Sequence, residues 1–293
     1  MAVAPPPGTV SARPRAGRCT LCGRPVGWQR VGGHRLLVCS GCGLGRLAAG
    51  LRTEDYWDRR HDLDGELSEP YWTTARTAVF TAALDRLAAE VKGRRLVDIG
   101  GGVGHFAACA RDRGWDAYSL DVSPTATAAA ADRLGRDRAL CCLPPELVGA
   151  CDAVTLWCVV AHVSDARPLL AEAARALAPG GRVLVTTPNF RFQKSYARAL
   201  HLGGRSLDFV AHDHLAHFTP ASLGLALAQA GLLVERFAYL GVTEDCLLDR
   251  RWAGPLVPAK RAWNWSAVQL ARAGLPLLSS ELQVLAVRAT AAT

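Results

Sequence analysis

The sequence predicts an α/β fold, in which a parallel sheet carries helices and a small metal-binding module precedes it. Three observations support this class. A short apolar run ends at Asp98 and continues into a glycine-rich turn and a helical pattern. A second apolar run ends at Asp121, 23 residues further on, which is the spacing of a strand–helix–strand unit. Two Cys-x-x-Cys pairs, at residues 19–22 and 39–42, lie ahead of both runs.

The composition is that of a globular protein with a basic N-terminal region. The chain has 293 residues, half of them hydrophobic, and a formal net charge of +8. Residues 1–60 hold ten arginines, no lysine and three acidic residues, hence a net charge of +7. This charge indicates either a solvated surface or attraction to RNA, a phosphorylated substrate or a carrier protein. No apolar run is long enough to span a membrane, and residues 1–18 lack the apolar core of a signal peptide, so a cytoplasmic location is expected.

The turn after Asp98 has the chemistry of a small-molecule cradle. Gly100, Gly102 and Gly104 can bring the backbone close to a ligand because they lack Cβ atoms. The turn misses the third glycine of the Gly-x-Gly-x-x-Gly dinucleotide fingerprint, and it lacks the Gly-Lys-Ser/Thr of a phosphate-binding loop. Because the Asp98 carboxylate would repel phosphate, the ligand should be cationic or rich in hydroxyls and amines.

Asp121 makes this prediction more specific. In a strand–helix–strand unit the second strand returns to the same sheet edge, one strand over. A carboxylate at its end can accept hydrogen bonds from both ribose hydroxyls of a nucleoside. The alternative is that Asp121 caps the helix that begins near Pro124, although Ser123 suits that position better.

The first four cysteines predict a zinc ribbon over residues 18–47. Cys19, Cys22, Cys39 and Cys42 have the spacing of a four-thiolate zinc site, and the residues between the pairs read as a β-hairpin around Gly32-Gly33. Four thiolates leave no open coordination position, so the metal would be structural, in a module too small for a core of its own. Two disulfides are the alternative, but no secretory signal supports an oxidising compartment.

The rest of the chain alternates between helical and strand patterns. Residues 1–17 are predicted as a disordered tail and 48–70 as a connector to a domain over 71–293, with lid-like insertions at about 190–217 and 241–276. Helices are predicted at 71–92, 104–113, 124–134, 168–177 and 222–230. Strands are predicted at 95–99, 115–121, 137–142, 151–157, 182–187, 232–240 and 281–289.

These motifs, taken in order, resemble the class I S-adenosylmethionine-dependent methyltransferases over roughly residues 19–240. The resemblance rests on Asp-x-Gly-x-Gly-x-Gly from Asp98, on residues 161–165, and on Leu-x-Pro-Gly-Gly-x-Val-x-Val-x-x-Pro-Asn at 177–189. It implies a Rossmann-like seven-stranded sheet, methyl transfer, and S-adenosylmethionine as the cofactor beside the structural Zn²⁺ of the ribbon. It places these residues at the cofactor: Asp98, Gly100, Gly101, Gly102, Gly104, Asp121, Val122 and Trp157.

Three histidines are the candidate catalytic residues. His162 follows the fourth strand, where it could act as a general base or could only orient the loop. His214 and His217 lie in the 190–217 insertion, which in this fold usually covers the acceptor. Both could face the substrate, His217 could cap the next helix, or both could join His212 and Asp213 in a second metal site.

Three hypotheses for function follow. The leading one is a methyltransferase acting on a small molecule of secondary or sugar metabolism. The second is an RNA methyltransferase whose basic ribbon docks nucleic acid, and the third is a non-catalytic zinc-ribbon adaptor, against which the intact Asp98, glycine turn and Asp121 argue. The tryptophans of the 241–276 insertion could line an apolar acceptor pocket or contact a membrane surface. The sequence predicts neither the acceptor nor the oligomeric state.

Overall fold

Two β-sheets, one of seven strands and one of four, organise the chain. The computed structural model describes residues 17–31, 34–47, 74–202, 214–240 and 279–289, and isolated residues at 262, 265–266 and 269–270. The seven-stranded sheet with its helices confirms the predicted α/β class. Within these ranges no helix is long and apolar enough to cross a membrane.

The observed elements follow the predicted order. The smaller sheet contains β1 (Val26–Val31), β2 (His34–Cys39), β3 (Gly45–Leu47) and β9 (Ala216–His217). The larger sheet contains β4 (Arg95–Ile99), β5 (Asp116–Leu120), β6 (Ala139–Leu140), β7 (Cys151–Trp157), β8 (Leu177–Pro188), β10 (Leu232–Leu240) and β11 (Glu281–Arg288). The helices are α1 (Thr74–Glu90), α2 (His105–Arg111), α3 (Pro124–Leu134), α4 (Arg167–Ala176), α5 (Phe190–Leu202) and α6 (Pro220–Gln229).

The strand order of the larger sheet fixes where a ligand can bind. The order is β10-β11-β8-β7-β4-β5-β6, with β8, β7, β4, β5 and β6 parallel and β11 antiparallel to both of its neighbours. From β4 the chain first runs outward through β5 and β6, and then returns to the other side of β4 as β7. Ligands bind at such a switch point, in the crevice outside the carboxyl ends of the strands.

Alternating apolar residues place a core on each face of this sheet. Val97 and Val154 belong to one core, together with apolar residues of α4 and α6. Leu96 and Ala153, the preceding residues, belong to the other core, together with apolar residues of α1 and α2. Because successive strand side chains point to opposite faces, the near-continuous apolar runs of the sequence cover both faces of a buried sheet.

Two strands differ from their predicted bounds by more than one residue at an end. Strand β8 begins at Leu177, which pairs with Cys151, so the Pro179-Gly180-Gly181 run predicted to end a helix lies within the strand as an irregularity in the pairing. A Cβ on Gly181 would lie 2.9 Å from the carbonyl oxygen of Cys151, so only glycine lets the two backbones approach there. Strand β6 is shorter than predicted, because the exposed cysteines that follow it leave the sheet.

The ribbon is joined to the larger domain. Strand β9, from the predicted 190–217 insertion, pairs with β3 and becomes the fourth strand of the ribbon sheet. Helix α5 fills the first part of that insertion, and its buried Phe190 packs against Val31, Leu36 and Val38 of the ribbon. The described part of the insertion therefore pairs with the ribbon and packs against it. Its residues 203–213, the tail, the connector and nearly all of 241–276 lie outside the described residues.

Candidate active site

The glycine turn after β4 folds back onto the neighbouring strand β5. The backbone N–H groups of Gly100 and Gly101 both donate to the carbonyl oxygen of Leu120, at 2.7 and 3.0 Å. Gly100 has φ +71°, and a Cβ there would lie 2.5 Å from Cγ2 of Val159. The packing of the chain itself therefore requires glycine at position 100. The sequence had suggested a different reason, the close approach of a ligand.

Asp98 is a buried carboxylate at the centre of the sheet, with a side chain 2% exposed. The Thr155 hydroxyl donates to its Oδ1 at 2.6 Å. Burial, together with a smaller contribution from the nearby charge of Asp121, raises the pKa of Asp98 to about 7, and the Thr155 hydrogen bond partly opposes this shift. A cation bound beside Asp98 would favour the ionised form.

Asp121 lies at the carboxyl end of β5 and holds the glycine turn. Its Oδ2 accepts from the backbone N–H of Gly102, and its Oδ1 accepts from that of Ser123, both at 2.9 Å. A carboxylate oxygen can accept more than one hydrogen bond, so these two amides do not by themselves exclude a ligand. The predicted capping role belongs to Ser123, whose Oγ accepts from the N–H of Ala126 at 3.2 Å.

The other predicted cofactor residues surround this edge of the sheet. Gly104 precedes α2 with φ +83°, where a Cβ would lie 3.0 Å from that of Ala130. Val122 is 79% exposed beside Asp121. Trp157 ends β7 and packs against Phe80 and Phe106, with ring centroids 4.9 and 5.0 Å away.

The three candidate catalytic histidines form a row beside the site. His162 follows a 3-10 turn after β7, and its ring centroid lies 4.7 Å from that of His214. His214 in turn lies 6.1 Å from His217. The topology thus brings together one histidine from the main fold and two from the insertion, although they are about fifty residues apart in the chain.

His217 differs from the other two because it is buried. Its side chain is 2% exposed, and its Nδ1 lies 3.3 Å from Oε1 of Gln193. Burial, with the nearby charges of His214 and His34, lowers the pKa of His217 to about 3. The ring is therefore neutral at physiological pH, between helix α5 and the ribbon.

The four predicted metal ligands converge. The Sγ atoms of Cys19 and Cys42 are 3.6 Å apart, those of Cys22 and Cys39 are 3.3 Å apart, and all four lie within 4.8 Å of one another. A tetrahedron of sulfurs around Zn²⁺ has edges of about 3.8 Å, given Zn–S bonds of about 2.3 Å. Disulfide bonds of about 2.05 Å do not fit these separations. The donor set therefore fits Zn²⁺.

The second metal site considered from the sequence gains no support. Among the residues that the structure describes, only the four cysteines bring three or more metal-ligating side chains together. His214 and His217 are neighbours, but His212 and Asp213 lie outside the described residues.

Two residues near the site had no signal in the sequence. Cys158, directly after β7, has φ +59° and is the one non-glycine residue with a positive φ in the described ranges. Its Sγ lies 3.9 Å from a carboxylate oxygen of Glu281, the first residue of β11. Strained backbone of this kind clusters at functional sites, but neither the φ angle nor a contact across 123 residues can be read from composition or spacing.

Comparison with known proteins agrees with this geometry. Residues 71–236 match the family described as a methyltransferase domain. The chain is 28% identical over 225 residues to a protein of Mycolicibacterium smegmatis named "Probable S-adenosylmethionine-dependent methyltransferase", which covers 73% of this chain and 74% of that protein. It is 25% identical over 187 residues to a ubiquinone biosynthesis O-methyltransferase of Acinetobacter baumannii, covering 59% and 77% of the two chains.

A solved structure supports the fold. It is a complex of the Haloferax volcanii Trm112 methyltransferase activator with a methyltransferase, and one of its chains superposes with a TM-score of 0.54 at 20% identity. The superposition covers 83% of this chain and 100% of that chain.

Proposed function

This chain belongs to the methyltransferase-domain family and is an S-adenosylmethionine-dependent methyltransferase, and from that premise we propose that its acceptor is a small molecule. The proposal rests on one arrangement: two carboxylates, the glycine turn and a histidine row meet at the carboxyl ends of adjacent strands. The bound cofactor would supply an activated methyl group on a sulfonium. The residues of the chain then have to position the acceptor and, where the acceptor is weakly acidic, remove its proton.

The cofactor residues proposed here are those at the ends of β4 and β5. Asp121, at the carboxyl end of β5 beside the glycine turn, would bind the ribose hydroxyls. Asp98 would balance the positive charge of the methionine portion across the turn. A buried carboxylate without a cation is costly, and the raised pKa of Asp98 is the expected sign of that cost.

The pH dependence of cofactor affinity tests the role of Asp98. With a pKa of about 7, the carboxyl is mostly neutral at pH 6 and mostly ionised at pH 8, so affinity should rise roughly tenfold between them by linkage. Asp98→Asn should bind more weakly and lose this dependence, as measured by isothermal titration in matched buffers. If the affinity of both proteins rises equally from pH 6 to pH 8, the role assigned to Asp98 is contradicted.

The stability of the ligand-free protein gives a second readout for Asp98. Its pKa is raised above the ordinary value of 3.8, so the folded state holds this proton more tightly than the unfolded state does. The stability that results is fully present below about pH 4 and is lost as the pH rises through about 7. Relative to Asp98→Asn, the wild type should therefore lose stability between these pH values.

We assign the proton-accepting role to His162 and positioning roles to His214 and His217. His162 is half-buried at the carboxyl edge, where an acceptor can reach it. His214 packs against its ring. His217 is too buried, and its pKa too low, to exchange a proton with an acceptor, so it would hold His214 in place.

Substituting His162 should separate these roles once an acceptor is found. His162→Ala should lower kcat by about 10²–10⁴, the range of general base catalysis, and should remove the fall in rate that accompanies imidazole protonation at low pH. His217→Gln should lower the melting temperature without changing the shape of the pH–rate profile. An unchanged profile in His162→Ala would assign that histidine to positioning only.

The ribbon surface combines two features that favour RNA with one that disfavours it. Residues 17–31 and 34–47 contain arginines and no acidic residue, and Trp28 is 46% exposed. However, the Arg35 guanidinium lies 4.8 Å from the centroid of the Trp28 ring. It therefore covers one face of the indole on which a base would otherwise stack.

A labelling experiment distinguishes the two acceptor classes. The protein and tritiated S-adenosylmethionine are incubated in parallel with a low-molecular-mass metabolite extract and with total RNA, and Asp121→Ala is the inactive control. We expect label in the small-molecule fraction. Label in RNA that is lost in an Arg30→Ala, Arg35→Ala variant would overturn the proposal.

The four cysteines are proposed as a structural zinc site. Their sulfur separations and the absence of a fifth donor among the described residues match a closed tetrahedral site. Metal analysis should then find about one zinc per chain. The metal would stabilise the ribbon and take no part in methyl transfer.

A further inference from the structure

A polar cluster lies on the sheet face covered by α1, where β7 and β8 end and β11 begins. Trp157 pairs in register with Thr186, and Thr186 pairs with Gln283. Residues in register across neighbouring strands share a face, so these three side chains form a polar row on that face. Glu281 lies two residues before Gln283 and points to the same face. Apolar residues would be the ordinary occupants of such positions.

Cys158 turns the end of β7 toward this row. Its φ is positive, and its backbone N–H donates to Thr186, to the carbonyl oxygen at 3.2 Å and to Oγ1 at 3.1 Å. Its Sγ lies 3.7 Å from Thr186 Oγ1 and 3.9 Å from Glu281 Oε1. Cys158 and Glu281 are both half-buried, so the cluster is within reach of a ligand.

The cluster contains a donor that the chain does not satisfy. The indole Nε1–H of Trp157 is buried and has no hydrogen-bond partner among the described residues. The amide of Gln283, by contrast, accepts from the Arg86 guanidinium. A buried donor without a partner is costly, and an oxygen atom of a ligand would satisfy it.

The strand order places this cluster beside the proposed cofactor site. Asp121 follows β5, on one side of β4, whereas Trp157 and Cys158 follow β7, on the other side. With the ribose at Asp121 and the methionine portion at the turn after β4, the end of β7 is where an acceptor would sit.

We propose that Trp157, Cys158, Thr186 and Glu281 form one part, or subsite, of the acceptor site, where they hold a hydroxyl group of the acceptor while His162 keeps the proton-accepting role. A hydroxyl can accept from the Trp157 indole and donate to the Glu281 carboxylate, whereas an ammonium can only donate and a carboxylate can only accept. The inference rests on the proposed small-molecule methyl transfer and names the class of its acceptor. Glu281 would be a specificity-determining residue, because a carboxylate rejects acceptors that offer no donor.

Binding of simple probes in the presence of saturating S-adenosylhomocysteine tests the subsite. Catechol and methyl glucoside carry hydroxyl donors, whereas 1,2-dimethoxybenzene has the shape of the first without its donors. Ligand-detected NMR should show binding of at least one hydroxyl probe and none of the dimethoxy compound. Glu281→Gln and Trp157→Phe should each weaken that binding at least about tenfold, the usual effect of losing a hydrogen bond to a charged or buried group.

The controls separate this inference from the proposed function. Glu172→Gln, on α4 at the opposite face of the sheet, should bind the probes as the wild type does. S-adenosylhomocysteine affinity, measured by calorimetry, should be the same in Glu281→Gln and the wild type. If the wild type does not bind S-adenosylhomocysteine, the proposed function is contradicted. Two results would overturn the subsite alone, provided that the wild type binds S-adenosylhomocysteine normally. One is that no probe binds, and the other is that Glu281→Gln binds the probes as the wild type does.

Discussion

S-adenosylmethionine affinity should fall at least about a hundredfold when Asp121 is replaced by alanine. A hydrogen bond to a charged group contributes about 1.5–3 kcal/mol, and Asp121 is proposed to accept one from each ribose hydroxyl. Two such bonds amount to about 3–6 kcal/mol, and each 1.4 kcal/mol is a factor of ten. The carboxylate also holds the N–H groups of Gly102 and Ser123, so its loss should additionally loosen the turn that is proposed to receive the methionine portion.

A second acid on the same strand provides the matched control. Asp116 begins β5 and pairs with Arg95 and Arg138 at the opposite end of the strand. Asp116→Ala should lower the melting temperature slightly and leave cofactor affinity unchanged in isothermal titration. If both variants bind equally well, or if Asp121→Ala binds as the wild type does, Asp121 does not bind the ribose.

Local chemistry explains why the fold around the proposed cofactor edge could be predicted from the sequence. Asp98, the glycine turn and Asp121 are each constrained by neighbours a few residues away, such as the Gly102 and Ser123 amides that Asp121 accepts. Their spacing then follows from the geometry of a strand–helix–strand unit. The cysteine pairs were predictable for the same reason, because two short knuckles and a hairpin bring the four sulfurs together.

The proposed acceptor side could not be predicted in this way, because its contacts join distant parts of the chain. Cys158 approaches Glu281 across 123 residues, and its backbone N–H donates to Thr186, 28 residues away. The pairing of β9 with the ribbon likewise joins Gly45 to His217. The 190–217 insertion looked like a lid because its histidines and basic residues suggest substrate contact, whereas its buried face, centred on Phe190, is directed at the ribbon.

Removal of zinc should destabilise the whole described fold, in addition to the ribbon. Cys19, Leu21, Cys39, Cys42 and Leu44 belong to the same apolar core as residues of α4 and α6. Hydrogen bonds reinforce this contact: the Thr219 hydroxyl donates to the carbonyl oxygen of Cys42 at 2.6 Å, and the Gln229 amide donates to that of Leu21 at 2.8 Å. Without the metal, four thiols in a partly apolar interface would lose the bonds that fix both knuckles.

We therefore expect Cys39→Ser to lower the melting temperature by about 10 °C or more, in a single calorimetric transition. Zinc contributes roughly 10–16 kcal/mol to isolated finger peptides. If about a third of that free energy stabilises the folded chain, the melting temperature should shift by about 10 °C or more, at about 2–4 °C per kcal/mol for a domain of this size. Chelation of the wild type should give the same shift, and Cys141→Ser, which changes an exposed thiol, should give none. The contrary result is two separate transitions, of which the upper one is unchanged, with cofactor binding retained. The ribbon would then unfold alone, and its contacts with α5 and α6 would contribute little to the stability of the methyltransferase core.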